Sequence, residues 1–452
     1  MNGTKNDLDL SELIDSKPVS RVQVRVIALC SLIALLDGVD TQSIGVAAPM
    51  IADAVRVPVA EFGPVFAAAL LGAALGASLF GPLADRYGRK LLLIVSVFVF
   101  GTFTFATAFC RSYESLILVR GLAGVGLGGA LPCFIALASE YAPRRLRATV
   151  VTLSWAAFPL GGMLGGFINS FVIEQFGWEA IFYIGGILPI IVAGVLVLAL
   201  PGSLRQVLAF RGQSDVLRIL RSMYKIPINS STRIVVSDEK LHGLSIKHLF
   251  SHGRALQTCL LWVPFFMAFG NLIVVVLWTP TLLNQLDISP RETALVVAFN
   301  GLGAAIGMGV AGRFIEKFGT IRTLVPAFVL GALATAGLGQ WAADVSLASL
   351  FTFMVGLFVG FGSAGVVALA ALIYPTAIRS TGVGMAMSMG RIGQTVCPLI
   401  AGALLVRAWT ESEIMLVVAA APLISAVFVM MLAYTGSSSR TATALTVNEQ
   451  YR

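Results

Sequence analysis

Charge is scarce in this chain. Only 12% of its 452 residues are Asp, Glu, Lys or Arg, about half of the roughly 25% found in soluble domains. That is too little to cover a water-facing surface, so soluble enzymes, secreted factors and DNA-binding domains are excluded. Histidine is scarcer still: His242, His248 and His252 all lie in one hydrophilic stretch, which leaves no raw material for a metal site or a His-based active site in the apolar regions. The five cysteines, Cys30, Cys110, Cys133, Cys259 and Cys397, are scattered, with no CxxC and no neighbouring His at ligand spacing; they read as small packing residues. The first 25 residues lack an apolar core, so no cleavable signal peptide is expected. The net charge of +8 sits in short clusters between apolar segments rather than on one face, so no nucleic acid partner is expected.

What the chain has is hydrophobic length. Apolar residues make up 57% of it, the mean hydropathy is +0.88, and apolar runs of about 20 residues, enough to cross a bilayer, recur from end to end. The expected class is an all-α integral membrane protein with twelve spans, near 26 to 53, 61 to 84, 91 to 110, 113 to 139, 149 to 173, 179 to 200, 256 to 284, 292 to 313, 322 to 343, 346 to 373, 380 to 406 and 413 to 434. These form two six-helix halves, 26–200 and 256–434, flanked by termini 1–25 and 435–452 and joined by a central loop, 201–255. Of the basic residues, only Arg56, Arg111, Arg291 and Arg407 fall in loops on one side, while Arg120 and Arg391 lie within spans. The rest gather on the other side, which places both termini in the cytoplasm. In the central loop Val216, Leu217, Leu220 and Met223 recur at helical spacing beside Arg218, Arg221 and Lys225, a pattern that predicts a short helix lying on the anionic inner leaflet.

The halves repeat. Gly81, Asp85, Arg86 and Gly88 of GPLADRYGRK match Gly312, Glu316, Lys317 and Gly319 of GRFIEKFGTI at an offset of 231. Pro143, Arg147 and Thr149 match Pro375, Arg379 and Thr381 at 232, and the same offset pairs Gly124 and Gly128 with Gly356 and Gly360. Three matches at offsets of 231 or 232 point to a duplicated transporter with its binding site between the halves near the bilayer midplane. GVGLGG at 124 to 129 fits GxGxxG, yet it lies inside a span with no preceding strand. Gly124, Gly128, Gly161, Gly162, Gly165 and Gly166 serve instead as small faces for close helix packing.

Charges inside the membrane mark the chemistry. Asp37 lies twelve residues beyond Arg25, about 18 Å into an apolar layer of about 30 Å. Asp40, three residues on, shares its helix face, so the two carboxylates repel and one is driven to hold a proton, as a proton carrier requires. Arg391 lies twelve residues past Arg379, at similar depth. Its guanidinium suits a carboxylate substrate, or a static bridge to Asp37 or Asp40. Arg120 falls in the outer part of the fourth span and Glu140 at its cytoplasmic end, too far apart to pair; Arg120 is expected to partner a helix 1 carboxylate or a proton path. Glu140 is expected to join Arg144, Arg147 or the 81–90 loop. Trp155, Phe158 and Trp278 are candidates to stack on an aromatic ring or to pack against helices and lipid.

With these residues in view, the chain resembles the major facilitator superfamily, GPLADRYGRK being close to its signature loop. More narrowly, DGVDT at 37 to 41, RGLAGVGLGGALP at 120 to 132 and ALASEYAPRRLRAT at 136 to 149 resemble the aromatic acid:proton symporters. That resemblance implies the major facilitator fold and uptake of benzoates, phenylpropionates or related acids by alternating access, driven by the proton gradient without a prosthetic group. Asp37, Asp40, Asp85, Arg120, Glu140, Arg379 and Arg391 match positions that look functional in that family. Taken with the reading of the residues themselves, proton coupling is expected at Asp37 and Asp40, substrate binding at Arg391, Arg120, Trp155, Phe158 and Trp278, and gating by Asp85, Arg86, Gly88, Arg89, Glu140, Arg147, Glu316 and Arg379. Cys133 stands where that family usually has Asn, and LPGSLR at 200 to 205 replaces its LPES. The expected partners are an aromatic carboxylate, protons and lipid, in a monomer of the bacterial inner membrane. Competing readings are a transporter of another organic anion, by aliphatic acid uptake or acid efflux, and a membrane chemoreceptor for aromatic acids.

Overall fold

The structure, a computed structural model, describes residues 7–204, 207, 208, 213–224, 233–235, 247–250, 254–374 and 379–449. Helices α1 (Arg21–Val55), α2 (Gly63–Tyr87), α3 (Arg89–Thr107) and α4 (Tyr113–Tyr141) lead into one long stretch, Arg144–Ala199. As a single helix its 56 residues would run ~84 Å, far beyond an apolar layer of about 30 Å. Gly177 breaks it with φ 78° and ψ 178°, a conformation open to glycine, and so divides it into α5 (144–176) and α6 (178–199). The second set is α7 (Ala255–Gln285), α8 (Pro290–Phe318), α9 (Thr320–Trp341), α10 (Val345–Ile373), α11 (Arg379–Val406) and α12 (Glu411–Glu449). Among the described residues eleven helices are long and apolar enough to cross a membrane, and the one at Ser154–Ala199 holds two spans. The protein is a multi-pass membrane protein, with twelve spans among the described residues.

Helix starts follow local chemistry. Ser112 and Ser115 cap each other's backbone N–H groups at the start of α4, and Ser289 and Glu292 do the same for α8, where Pro290 opens the helix. Asp344 accepts from the Ser346 and Leu347 N–H groups at α10.

The internal repeat is visible in the backbone. Gly88 (φ 108°) and Gly319 (φ 86°), matched at an offset of 231, make the turns into α3 and α9. In the first set, a Cβ on Gly124 or Gly128 of α4 would overlap the Ala69 or Ala73 carbonyl of α2. Their counterparts Gly356 and Gly360 of α10 press against Asn300 and Ala304 of α8 in the same way. Without side chains at these points the helices approach closely enough for backbone packing to replace the hydrophobic drive that lipid does not supply.

The chain divides into two compact units, Met1–Ser43 with Ala68–Gly161 and Gln175–Lys240, and Ile44–Ala67 with Gly162–Glu174 and Leu241–Arg452. The second unit therefore includes the ends of α1, α2 and α5 that lie far from the chain termini. There a Cβ on Gly45 would lie 2.7 Å from the Val276 carbonyl of α7, and one on Gly166 would lie 2.8 Å from the Ala294 carbonyl of α8. Arg291 meets Glu174 at 3.6 Å and sits 5.9 Å over the Phe171 ring.

The first unit holds the helix foreseen in the central loop, Gln213–Tyr224. Its apolar face is not spread on a leaflet: Val216, Leu217, Leu220 and Met223 are buried in a protein core with Ile14, Cys30, Leu200 and Leu204. Protein covers that face because the short helix Leu10–Ser16 and the end of α6 offer it a drier surface than a headgroup layer. Asp7–Asp9 pairs in parallel with Arg233–Val235.

Candidate functional site

α1 carries Asp37, Gly38, Asp40 and Thr41 within little more than one turn. Asp40 points at α3 and α4, where Arg120 forks onto it: Nη1 donates to Oδ1 at 3.0 Å and Nη2 to Oδ2 at 2.7 Å. Thr104 of α3 adds a third bond to Oδ1 at 3.1 Å. Both charged side chains are 3% exposed, so each is the condition for the other's burial. Among the described residues no hydrogen-bond partner meets the buried Arg120 Nε. The structure thus gives Arg120 the helix 1 carboxylate as partner, and the repulsion expected between two adjacent acids is relieved because one of them is held by a cation.

Asp37 is half-buried and accepts a long bond of 3.4 Å from Thr41 Oγ1, one turn further on. In the second unit Arg391 is half-buried on α11, its Nη1 donating to Gln394 Oε1 at 3.3 Å. Beside it, a Cβ on Gly390 would come 3.2 Å from the Phe269 ring, which stacks on Phe265 with centroids 5.9 Å apart. Trp155 and Phe158 of α5 are partly exposed and lie nearly parallel, 6.4 Å apart at 17°. Trp278 is placed differently. It is fully buried, its N–H donates to the Pro398 carbonyl at 3.0 Å, and Phe66 meets its ring edge-on at 5.4 Å. In this conformation its faces are taken by protein, so stacking on a substrate would require the α2 contact to part.

The terminus side of the first unit carries a polar cluster around Glu140. Glu140 is buried at the end of α4 and accepts from Ser203 Oγ, 3.0 Å from Oε1 and 2.7 Å from Oε2. Arg89 of the signature loop reaches Oε2 at 3.5 Å. Next to it Tyr141 donates to the Gly202 carbonyl at 2.7 Å, and Gln23 donates to the Tyr141 carbonyl at 2.8 Å. Arg86 is exposed and lies over the Tyr87 ring at 5.4 Å; Glu316 is exposed on α8. The side chains of Asp85, Arg144, Arg147 and Arg379 lie outside the described residues. Thr104, Ser203 and Gln394 were not singled out from the sequence. Ser203 alone left a trace there, as part of the unusual LPGSLR run.

Two overlapping matches to the family model of the Major Facilitator Superfamily cover residues 30–338 and 260–446. The chain belongs to the Major Facilitator Superfamily. It is 33% identical to the 4-hydroxybenzoate transporter PcaK of Pseudomonas aeruginosa over 411 residues, 90% of this chain and 92% of that one. It is 34% identical to the 3-(3-hydroxy-phenyl)propionate transporter of Escherichia coli over 398 residues, 88% of this chain and 90% of that one. These relatives place it with the aromatic acid transporters of the superfamily, and it is a transporter, not an enzyme. The fold agrees. The inward open conformation of the xylose transporter XylE from E. coli superposes with a TM-score of 0.70 at 20% identity, covering 90% of this chain and 95% of that one.

Proposed function

We propose that this superfamily member imports aromatic carboxylic acids together with protons by alternating access, as a monomer without a prosthetic group, in the bacterial inner membrane with both termini cytoplasmic. The observation that carries the substrate class is kinship over about nine-tenths of the chain with transporters named for 4-hydroxybenzoate and a hydroxyphenylpropionate. The residues supply matching chemistry. Arg391 offers a permanently charged fork to the carboxylate, with Gln394 orienting it, and Trp155 with Phe158 offers aromatic faces to the ring. Asp40 and Arg120 hold α1 against α3 and α4, while Asp37, one turn before Thr41 on α1, carries the proton. Alternating access is supported by the packing of the far ends of α1, α2 and α5 on α7, α8 and α11, which has to separate for entry from that side.

A panel tests the assignment. Radiolabelled benzoate, 4-hydroxybenzoate, protocatechuate, a phenylpropionate, muconate and succinate are offered to proteoliposomes with an inward proton gradient, with and without a protonophore. At least one aromatic monocarboxylate is expected to accumulate in a protonophore-sensitive manner and succinate is not. Accumulation of aliphatic acids alone overturns the aromatic assignment and leaves the transporter fold standing.

A further inference from the structure

At the end of the second unit far from the chain termini, three aromatic rings join α2 to α7. Pro58 opens a short 3-10 turn, Val59–Phe62, which leads directly into α2 at Gly63. From this segment Phe62 meets Phe66 at 5.7 Å and 69°, and Phe66 meets Trp278 of α7 at 5.4 Å and 89°. Both contacts are edge-to-face, with the positive edge of one ring on the negative face of the next. Phe62 and Trp278 are fully buried and Phe66 is 2% exposed, so parting α2 from α7 exposes aromatic surface that is now dry.

The indole is the fixed member of the three. Its N–H donates to the Pro398 carbonyl of α11 at 3.0 Å, at a point where α11 has lost a helical bond, because Pro398 carries no N–H for the Gln394 carbonyl. Trp278 and Pro398 both belong to the second set of helices, whereas Phe62 and Phe66 come from the first. The Trp278–Pro398 bond therefore survives withdrawal of α2 and keeps the indole in one orientation for Phe66 to meet again. Gly402, one turn past Pro398, makes the room: a Cβ there would lie 3.0 Å from Trp278 Cζ2 and 3.4 Å from the Ala60 carbonyl. Pro398 also lies seven residues beyond Arg391, ~10 Å along α11, so one helix carries both the guanidinium and the support of the indole.

We propose that Trp278 is a positioning residue of the outer gate, a socket oriented by Pro398 on which Phe66 and Phe62 close, rather than a residue that stacks on the transported ring. The inference rests on the alternating-access reading above. The gate residues foreseen from the sequence, from Asp85 to Arg379, belong to loops and helix ends on the terminus side, so none of them closes the far side. The indole N–H then biases the equilibrium between closed and open states through the ring it holds. Removing that donor while keeping an aromatic side chain leaves Phe66 a socket without a set orientation, and the open state gains.

The test is the distance between nitroxide labels at Ala54→Cys, near the end of α1, and Arg407→Cys, just past α11, both exposed positions. It is read by double electron–electron resonance on the full-length protein in lipid nanodiscs without substrate, the native cysteines being replaced by alanine. Trp278→Phe keeps a ring and removes the donor, Phe66→Leu removes the edge contact, and Gly402→Ala leaves both rings but wedges the indole. Phe328→Leu, which removes a fully buried ring of α9, controls for core packing in general. Trp278→Phe is expected to raise the ratio of longer to shorter distances roughly fivefold, the equivalent of one hydrogen bond, and Phe66→Leu and Gly402→Ala to shift it the same way. Phe328→Leu is expected to lower the melting temperature with distances as in wild type. In proteoliposomes Trp278→Phe is expected to take up the acid with a lower KM and a lower kcat, because more of the protein stands open to the outside. Wild-type distances in both Trp278→Phe and Gly402→Ala, or an equal shift in Phe328→Leu, overturn the gate and leave Trp278 a core residue. The distances need no substrate, so failure of the aromatic panel would overturn the substrate class and leave this result standing.

Discussion

Arg120→Ala is expected to abolish uptake and to lower stability by about 3–5 kcal/mol, because Asp40 would be left as a buried carboxylate with only Thr104 to serve it. The loss has a signature that distinguishes an ion pair from simple packing. Asp40→Asn/Arg120→Gln leaves no charge unpaired, so it is expected to recover most of the melting temperature lost in Arg120→Ala while remaining inactive. Thermal unfolding of the three proteins in one detergent, paired with uptake in proteoliposomes, checks both halves of the expectation. Wild-type accumulation by Arg120→Ala would show that the fork is incidental to transport.

Arg391→Ala is expected to weaken binding of the transported acid by about 30-fold or more, the cost of removing one member of a desolvated, hydrogen-bonded charge pair. Arg391→Lys should fall between the two, since an ammonium keeps the charge but not the planar fork. Gln394→Leu, which removes the acceptor 3.3 Å from Nη1, tests whether the guanidinium must also be oriented. Calorimetric titration of the purified variants with the substrate found by the panel gives the affinities directly. Unchanged affinity in Arg391→Ala would leave Arg391 a structural residue of α11.

Much of this could be read before the structure. Twelve spans follow from run length and hydropathy, and the glycines at an offset of 232 appear as equivalent close approaches in both helix sets, because only backbone contact requires a residue without a Cβ, while Gly88 and Gly319, at an offset of 231, share a positive φ. The Gly177 break also fell between two expected spans. Partners were harder to read. Asp40 and Arg120 are 80 positions apart, and helical periodicity states which face a side chain takes, not which helix meets that face. Periodicity likewise identified Val216, Leu217 and Leu220 as one apolar stripe, but lipid and protein satisfy such a stripe equally in sequence. Ser203 became a partner of Glu140 only through the return of the chain after α6, and no spacing rule connects them. For Trp278 the sequence left ring stacking and helix packing both open, because its neighbours Phe66 and Pro398 are remote in the chain.

Coupling to protons is the claim on which the account turns, and proton movement can be followed beside substrate movement. Proteoliposomes with equal pH on both sides and no membrane potential are given an inward gradient of the aromatic acid, and external pH is recorded alongside radiolabel uptake, with protein-free vesicles correcting for passive diffusion of the undissociated acid. Wild type is expected to alkalinise the medium in step with uptake. Asp37→Asn is expected to exchange substrate across the membrane with no protein-dependent pH change. Substrate uptake by wild type without alkalinisation, or full alkalinisation by Asp37→Asn, would contradict the account, the first by removing proton coupling and the second by removing Asp37 from it.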